Sequence, residues 1–159
     1  MSARKCSLVL ALCLAGAGAV WSAHAQDDKE GPFDNEIQYR QAFMKAMGGH
    51  VAGTAALIAG RIKADGQLKV HAAAIGGLAT DDVTHYFPKD STDEDSAAEP
   101  EIWKSWDTFV DRAHANRDAA IAYNKVVQAN GSADEVRAAF KKLTDTCKDC
   151  HEDYRHKDE

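Results

Sequence analysis

The 159-residue chain has little proline, few cysteines and almost no strand-like patterning. Its three prolines, Pro32, Pro88 and Pro100, leave long stretches in which nothing breaks a helix. β-branched runs are short, and none alternates apolar with polar residues over the length of a strand. Past residue 25, no apolar run approaches the ~20 residues of a membrane-spanning helix. Positive charge is also scarce, with 19 Lys and Arg against 25 Asp and Glu. That balance argues against nucleic acid or anionic lipid as a partner. No acid–base pair suited to catalysis stands out.

The first 25 residues read as a cleaved secretory signal. Arg4 and Lys5 form a basic start, Ser7 to Val20 is uncharged and apolar, and Ala23-His24-Ala25 is a small-residue cleavage site. Removing these 25 of 159 residues leaves 134, enough for one domain with a core, and takes the formal charge from −6 to −8. Cys6 and Cys13 depart with the signal, so Cys147 and Cys150 are the only thiols of the mature chain. The expected location is the periplasm, with no membrane span after cleavage.

Four amphipathic segments are expected in residues 26–159, at about 35–64, 67–83, 100–130 and 133–155. The first carries Ile37, Met44, Val51 and Ile58 at seven-residue spacing, with Met47 and Ile62 beside them. Asp34 or Asn35 is its expected N-cap, and Asp65-Gly66 its stop. Leu68, Ala72, Ile75, Ala79 and Val83 stripe the second. The third opens at Glu99-Pro100-Glu101, buries Ile102, Trp106, Phe109, Ala113, Ala120, Tyr123 and Val127, and closes at Gly131. Ser132-Ala133-Asp134-Glu135 is a capping box that starts the fourth. The acidic stretch between Tyr86 and Glu99 reads as a solvated crossover loop. The expected fold is all-α: an antiparallel four-helix bundle.

The last segment carries Cys147-Lys148-Asp149-Cys150-His151, the C-x-x-C-H attachment signature of a c-type haem. Two thiols can add to the two vinyl groups of a porphyrin, and the adjacent His151 then supplies an axial imidazole to iron. On a helix, positions 147, 150 and 151 share one face. A zinc site needs a fourth ligand, and no second Cys or His pair stands at ligand spacing. A redox C-x-x-C would sit in a βαβ setting, and a disulfide leaves His151 without a reason. One covalent haem c per chain is therefore expected. The remaining histidines, His50, His71, His85, His114 and His156, read as surface residues.

Three segments carry a family resemblance: Tyr39-Arg40-Gln41, Pro100-Glu101-Ile102-Trp103 and Cys147 through Arg155. With them, nearly the whole mature chain resembles the class II c-type cytochromes, the cytochrome c-prime family. Phe43-Met44-Lys45 and Phe87-Pro88 are most similar to its low-spin, cytochrome c-556 branch. The resemblance implies that Met44 is the sixth iron ligand, with Met47 the next candidate. It implies that Arg40 meets a haem propionate and that Arg155 lies beside the proximal imidazole. It also implies electron transfer between redox proteins of a respiratory or photosynthetic chain, not enzymatic catalysis, and a homodimer through the first two helices. An open sixth position would instead imply binding of NO or CO.

Overall fold

The computed structural model describes residues 31–64 and 66–156. The export signal read at residues 1–25 lies outside the described residues. Five α-helices follow in order: α1 (Asp34–Ile58), α2 (Gln67–Leu78), α3 (Glu101–Lys104), α4 (Trp106–Gln128) and α5 (Ala133–Tyr154). A 3₁₀ turn, Val83–Tyr86, follows α2. No strand occurs among the described residues. None of their helices is long and apolar enough to cross a membrane.

Several helix ends differ from expectation, each for a local reason. Phe33, not Asp34 or Asn35, is the N-cap of α1, and Asp34 opens the helix while its Oδ2 accepts from the Gly31 N–H at 2.7 Å. α1 ends at Ile58 instead of running to 64, because Gly60 turns left-handed at φ +67°. α2 stops at Leu78, and Asp82 then caps the 3₁₀ turn by accepting from the Thr84 N–H. The third segment is interrupted at Ser105 (φ −124°, ψ 44°). There the Ser105 hydroxyl donates to the Glu101 carbonyl at 2.9 Å and lies 3.1 Å from the Tyr154 hydroxyl. A serine that bonds back to the carbonyl four residues earlier competes with a straight helix. The capping box at Ser132 and Glu135 forms as read, with both reciprocal bonds present.

Around the bundle, α1 packs on α2, α2 on α4 and α4 on α5. α1 and α5 scarcely touch, which leaves one side open. The core is accordingly divided. One cluster centres on Ile75, Ala120, Tyr123 and Leu143, with Cys147 against it. The other joins Phe87, Ile102, Phe109 and Tyr154, with Cys150 against it. Phe109 meets Phe87 and Tyr154 edge-on, at centroid distances of 4.9 and 5.4 Å.

The expected stripe of α1 is only partly buried. Its interior line is Ile37, Arg40, Met47 and Thr54, while Met44 is 39% exposed and Ile62 55%. Met44 and Val51 line the open side, and Val51 also packs against the core cluster that includes Ala72 and Ile75 of α2. Trp106, read as core, is 36% exposed, because the break at Ser105 starts a new helix at that residue.

Two adjacent glycines of α2 separate packing from propensity. At Gly76, an added Cβ would lie 2.8 Å from the Cβ of Asn124 on α4, whereas at Gly77 it would meet nothing within 4 Å. Gly77→Ala should therefore stabilise by up to about 1 kcal/mol. Gly76→Ala should destabilise by about 1–3 kcal/mol, since overpacking outweighs helix propensity. Urea denaturation of the two variants checks the opposite signs.

Candidate haem site

The open side of the bundle holds a cavity of about 250 Å³ with mainly apolar walls. Phe43, Met44, Met47, Gly48 and Val51 of α1 form one wall. Cys147, Cys150 and His151 of α5 face them. Both cysteines are free thiols, and the helical spacing brings them and His151 to one surface, as the motif requires. A Cβ at Gly48 would meet nothing within 4 Å, so this wall has room for a flat ligand.

Burial sets the protonation states of the motif's side chains. Burial pushes the Cys150 thiol up to about 11, against the opposing charge of Arg112. Burial also raises Cys147, opposed by a hydrogen bond from Asn116, whose Nδ2 lies 3.2 Å from Sγ. Thiols held neutral in this way are unlike the low-pKa cysteines of redox pairs. Burial, and then the charge of Arg155, lowers His151, which favours the neutral imidazole that a metal needs. Among the described residues, no group of three or more His, Cys, Asp or Glu forms a cluster able to hold a bare metal ion. The gap between α1 and α5, with both thiols and one imidazole on its wall, fits a haem c.

Arg40 is bonded into the loop that follows the 3₁₀ turn. Its guanidinium is 4% exposed and is not among the residues lining the cavity. Its two terminal nitrogens donate to the Tyr86 carbonyl (3.2 Å), the Ser91 hydroxyl (2.8 Å), the Ser91 carbonyl (2.5 Å) and the Ser96 hydroxyl (2.6 Å). It also stacks 4.8 Å from the centre of the Phe87 ring. Those N–H groups are committed to the loop. The loop is not merely a solvated crossover, since Ser91 is fully buried. Gln41 Nε2 donates to the Asp95 carbonyl and fastens the same loop again.

The loop's far end is tied to α5. The Glu99 N–H donates to the Tyr154 carbonyl at 3.0 Å and the His156 N–H to the Ala97 carbonyl at 2.8 Å. This isolated bridge pairs Ala98 with Arg155. Arg155 lies near enough to His151 for its charge to act on the imidazole. Met44 lies on the cavity wall, and so does Met47.

Arg112 and Asn116 escaped the sequence reading, and His114 was read only as a surface residue. Arg112 donates to the Asp149 carbonyl, pairs with Asp153 at 2.6 Å and stacks on Tyr154, clamping α4 to the haem-motif helix. Asn116 bridges Thr146 and Cys147. His114 lines the cavity with its Nε2 3.5 Å from Asp82. No local spacing marks any of them, because each partner is distant in the chain.

Arg40→Ala should cost about 2–3 kcal/mol, because it strands buried loop oxygens. Trypsin should then cut after Lys89 faster than in the wild type. Urea denaturation and timed proteolysis measure both effects.

Known proteins agree with this geometry. The family model described as cytochrome C′ matches residues 35–155. A cytochrome c′ from Pararhodospirillum photometricum is 28% identical over 75% of this chain and 94% of its own. A cytochrome c-556 from Agrobacterium fabrum is 32% identical over 89% of this chain and 87% of its own. Among solved structures, cytochrome c prime from Shewanella frigidimarina superposes with a TM-score of 0.71 at 25% identity, covering 77% of this chain and 95% of that one. A nitric oxide complex of a mutant cytochrome c prime from Alcaligenes xylosoxidans gives 0.70 at 26% identity, covering 79% and 96%. With the C-x-x-C-H helix facing an open seam of a four-helix bundle, and a family match over that whole bundle, the chain belongs to the cytochrome c′ family, the class II c-type cytochromes, and is a haem c protein.

Proposed function

We propose that the chain is a periplasmic one-electron carrier. Cys147 and Cys150 hold the haem by thioether bonds, His151 is one axial ligand, and Met44 is the other. The observation that carries this reading is the pairing of Met44 on α1 with His151 on α5 across one cavity. A thioether opposite an imidazole is the donor pair that raises a haem's potential relative to two imidazoles. When bound, the haem supplies a one-electron iron couple.

The chain's own residues do the rest. Phe43, Met47 and Val51 line the Met44 wall with apolar groups. Arg112 and Asn116 hold the two cysteines' helix against α4, so the imidazole presents from a fixed backbone. Arg40 holds the loop that joins the α1 wall to the α5 wall. The acidic surface suits a redox partner with a basic docking patch, and opposite charge speeds such encounters.

A second reading has its own support. Solved relatives include nitric oxide and carbon monoxide complexes of cytochrome c prime from Alcaligenes xylosoxidans. If Met44 stays off the iron, the same apolar wall leaves room for a diatomic gas. That wall offers no side-chain hydrogen-bond donor among Phe43, Met44, Met47 and Val51, which suits NO or CO better than peroxide.

Spectra of Met44→Ala beside the wild type decide between the two. The carrier reading expects sharp α and β bands and poor CO binding in the reduced wild type. It expects a high-spin spectrum with ready CO binding in the variant. A wild type that is already high-spin and CO-reactive overturns the carrier reading and leaves gas binding.

A further inference from the structure

His50 of α1 and His71 of α2 meet outside the haem cavity, with their Nδ1 atoms 3.0 Å apart. Both side chains are partly buried. The His71 ring lies directly over Gly53, where a Cβ would come within 2.6 Å of its Cε1. A glycine at that point of α1 is what lets the ring sit there. The ring centroids are 5.3 Å apart and the planes cross at 65°, so the rings meet nearly end to end and share one proton between Nδ1 atoms.

We propose that this pair is a second, haem-independent metal site that binds one divalent late first-row ion such as zinc. Imidazole nitrogens bind such ions at about 2.0–2.1 Å. At that distance, donors 3.0 Å apart subtend about 90–95°, the angle of two cis ligands, and opening by about 0.3 Å gives the tetrahedral angle. The rings must turn from end-to-end to convergent, and histidine χ2 is a broad, soft torsion. The proton on one Nδ1 moves to the Nε2 of the same ring through solvent, which frees both Nδ1 lone pairs for the ion. Water completes the coordination shell.

The surroundings select the ion. α1 carries no acidic residue past Glu36, α2 carries none, and Lys45 and Lys69 are their nearest cations in sequence. Asn124 and Gln128 of α4, both uncharged, are among the groups that reach α2. Two neutral nitrogens without a carboxylate favour zinc or copper over magnesium or calcium, which need oxygen ligands.

Isothermal titration of the holoprotein with Zn(II), a redox-silent probe, tests the proposal. One ion should bind per chain. His50→Ala and His71→Ala should each weaken binding at least tenfold, and the double variant should be no weaker than either single one, since one imidazole alone cannot chelate. An unchanged haem Soret band in each variant shows that the fold persists. The proposal fails if the wild type takes up no zinc. It fails equally if only one substitution matters, or if neither does and His85, His114 or His156 carries the ion.

Discussion

The structure depends on keeping two helices apart. α1 and α5 scarcely touch along the bundle, yet they are joined at one end by residues 87–100. The join is made by a buried cation. Four hydrogen bonds from Arg40 to neutral loop oxygens replace the water that its guanidinium gave up. Burying a charge without such partners is costly. Desolvation accordingly lowers the Arg40 pKa, while Asp93 and Glu36 act to restore it. Because the strap closes on α5 through backbone bonds at Ala97, Glu99 and Tyr154, the separation of the two walls is held even where no side chain crosses it.

The divided core follows from the same constraint. A bundle whose four sides all closed would have one continuous interior. Here one cluster lies around Tyr123 and Leu143 and the other around Phe109 and Tyr154. The haem motif spans both: Cys147 packs on the first and Cys150 on the second. A cofactor bonded to both sulfurs therefore ties the two clusters together, in addition to filling the space between α1 and α5. Arg112 and Asn116, one turn apart on α4, brace the motif from behind.

What was legible in the sequence was local. The capping box at Ser132 and Glu135 spans four residues, and the C-x-x-C-H spacing is fixed by the porphyrin it must fit. The bundle itself followed from apolar periodicity. What was not legible was carried by distant partners. Arg40 reaches residues 46 to 56 positions away, so its commitment to the loop leaves no local trace. The stripe of α1 misled because that helix serves two neighbours: Ile37 is buried in packed protein, Met47 is buried and also lines the cavity, and Met44 lies more exposed on the cavity wall. A seven-residue repeat cannot distinguish a wall for a ligand from a wall for a helix. The kink at Ser105 depends on a hydroxyl contact with Tyr154, 49 residues on.

The strap sorts its residues by direction. Ser91 and Ser96 point inward to Arg40, whereas Asp90, Asp93, Glu94 and Asp95 are exposed. Apart from Asp93, whose charge supports Arg40, the charge pattern on the outer surface of this segment can therefore be redrawn without disturbing the aperture beneath it. Lineages sharing one scaffold could diverge in the company they keep while the chamber between α1 and α5 stays the same.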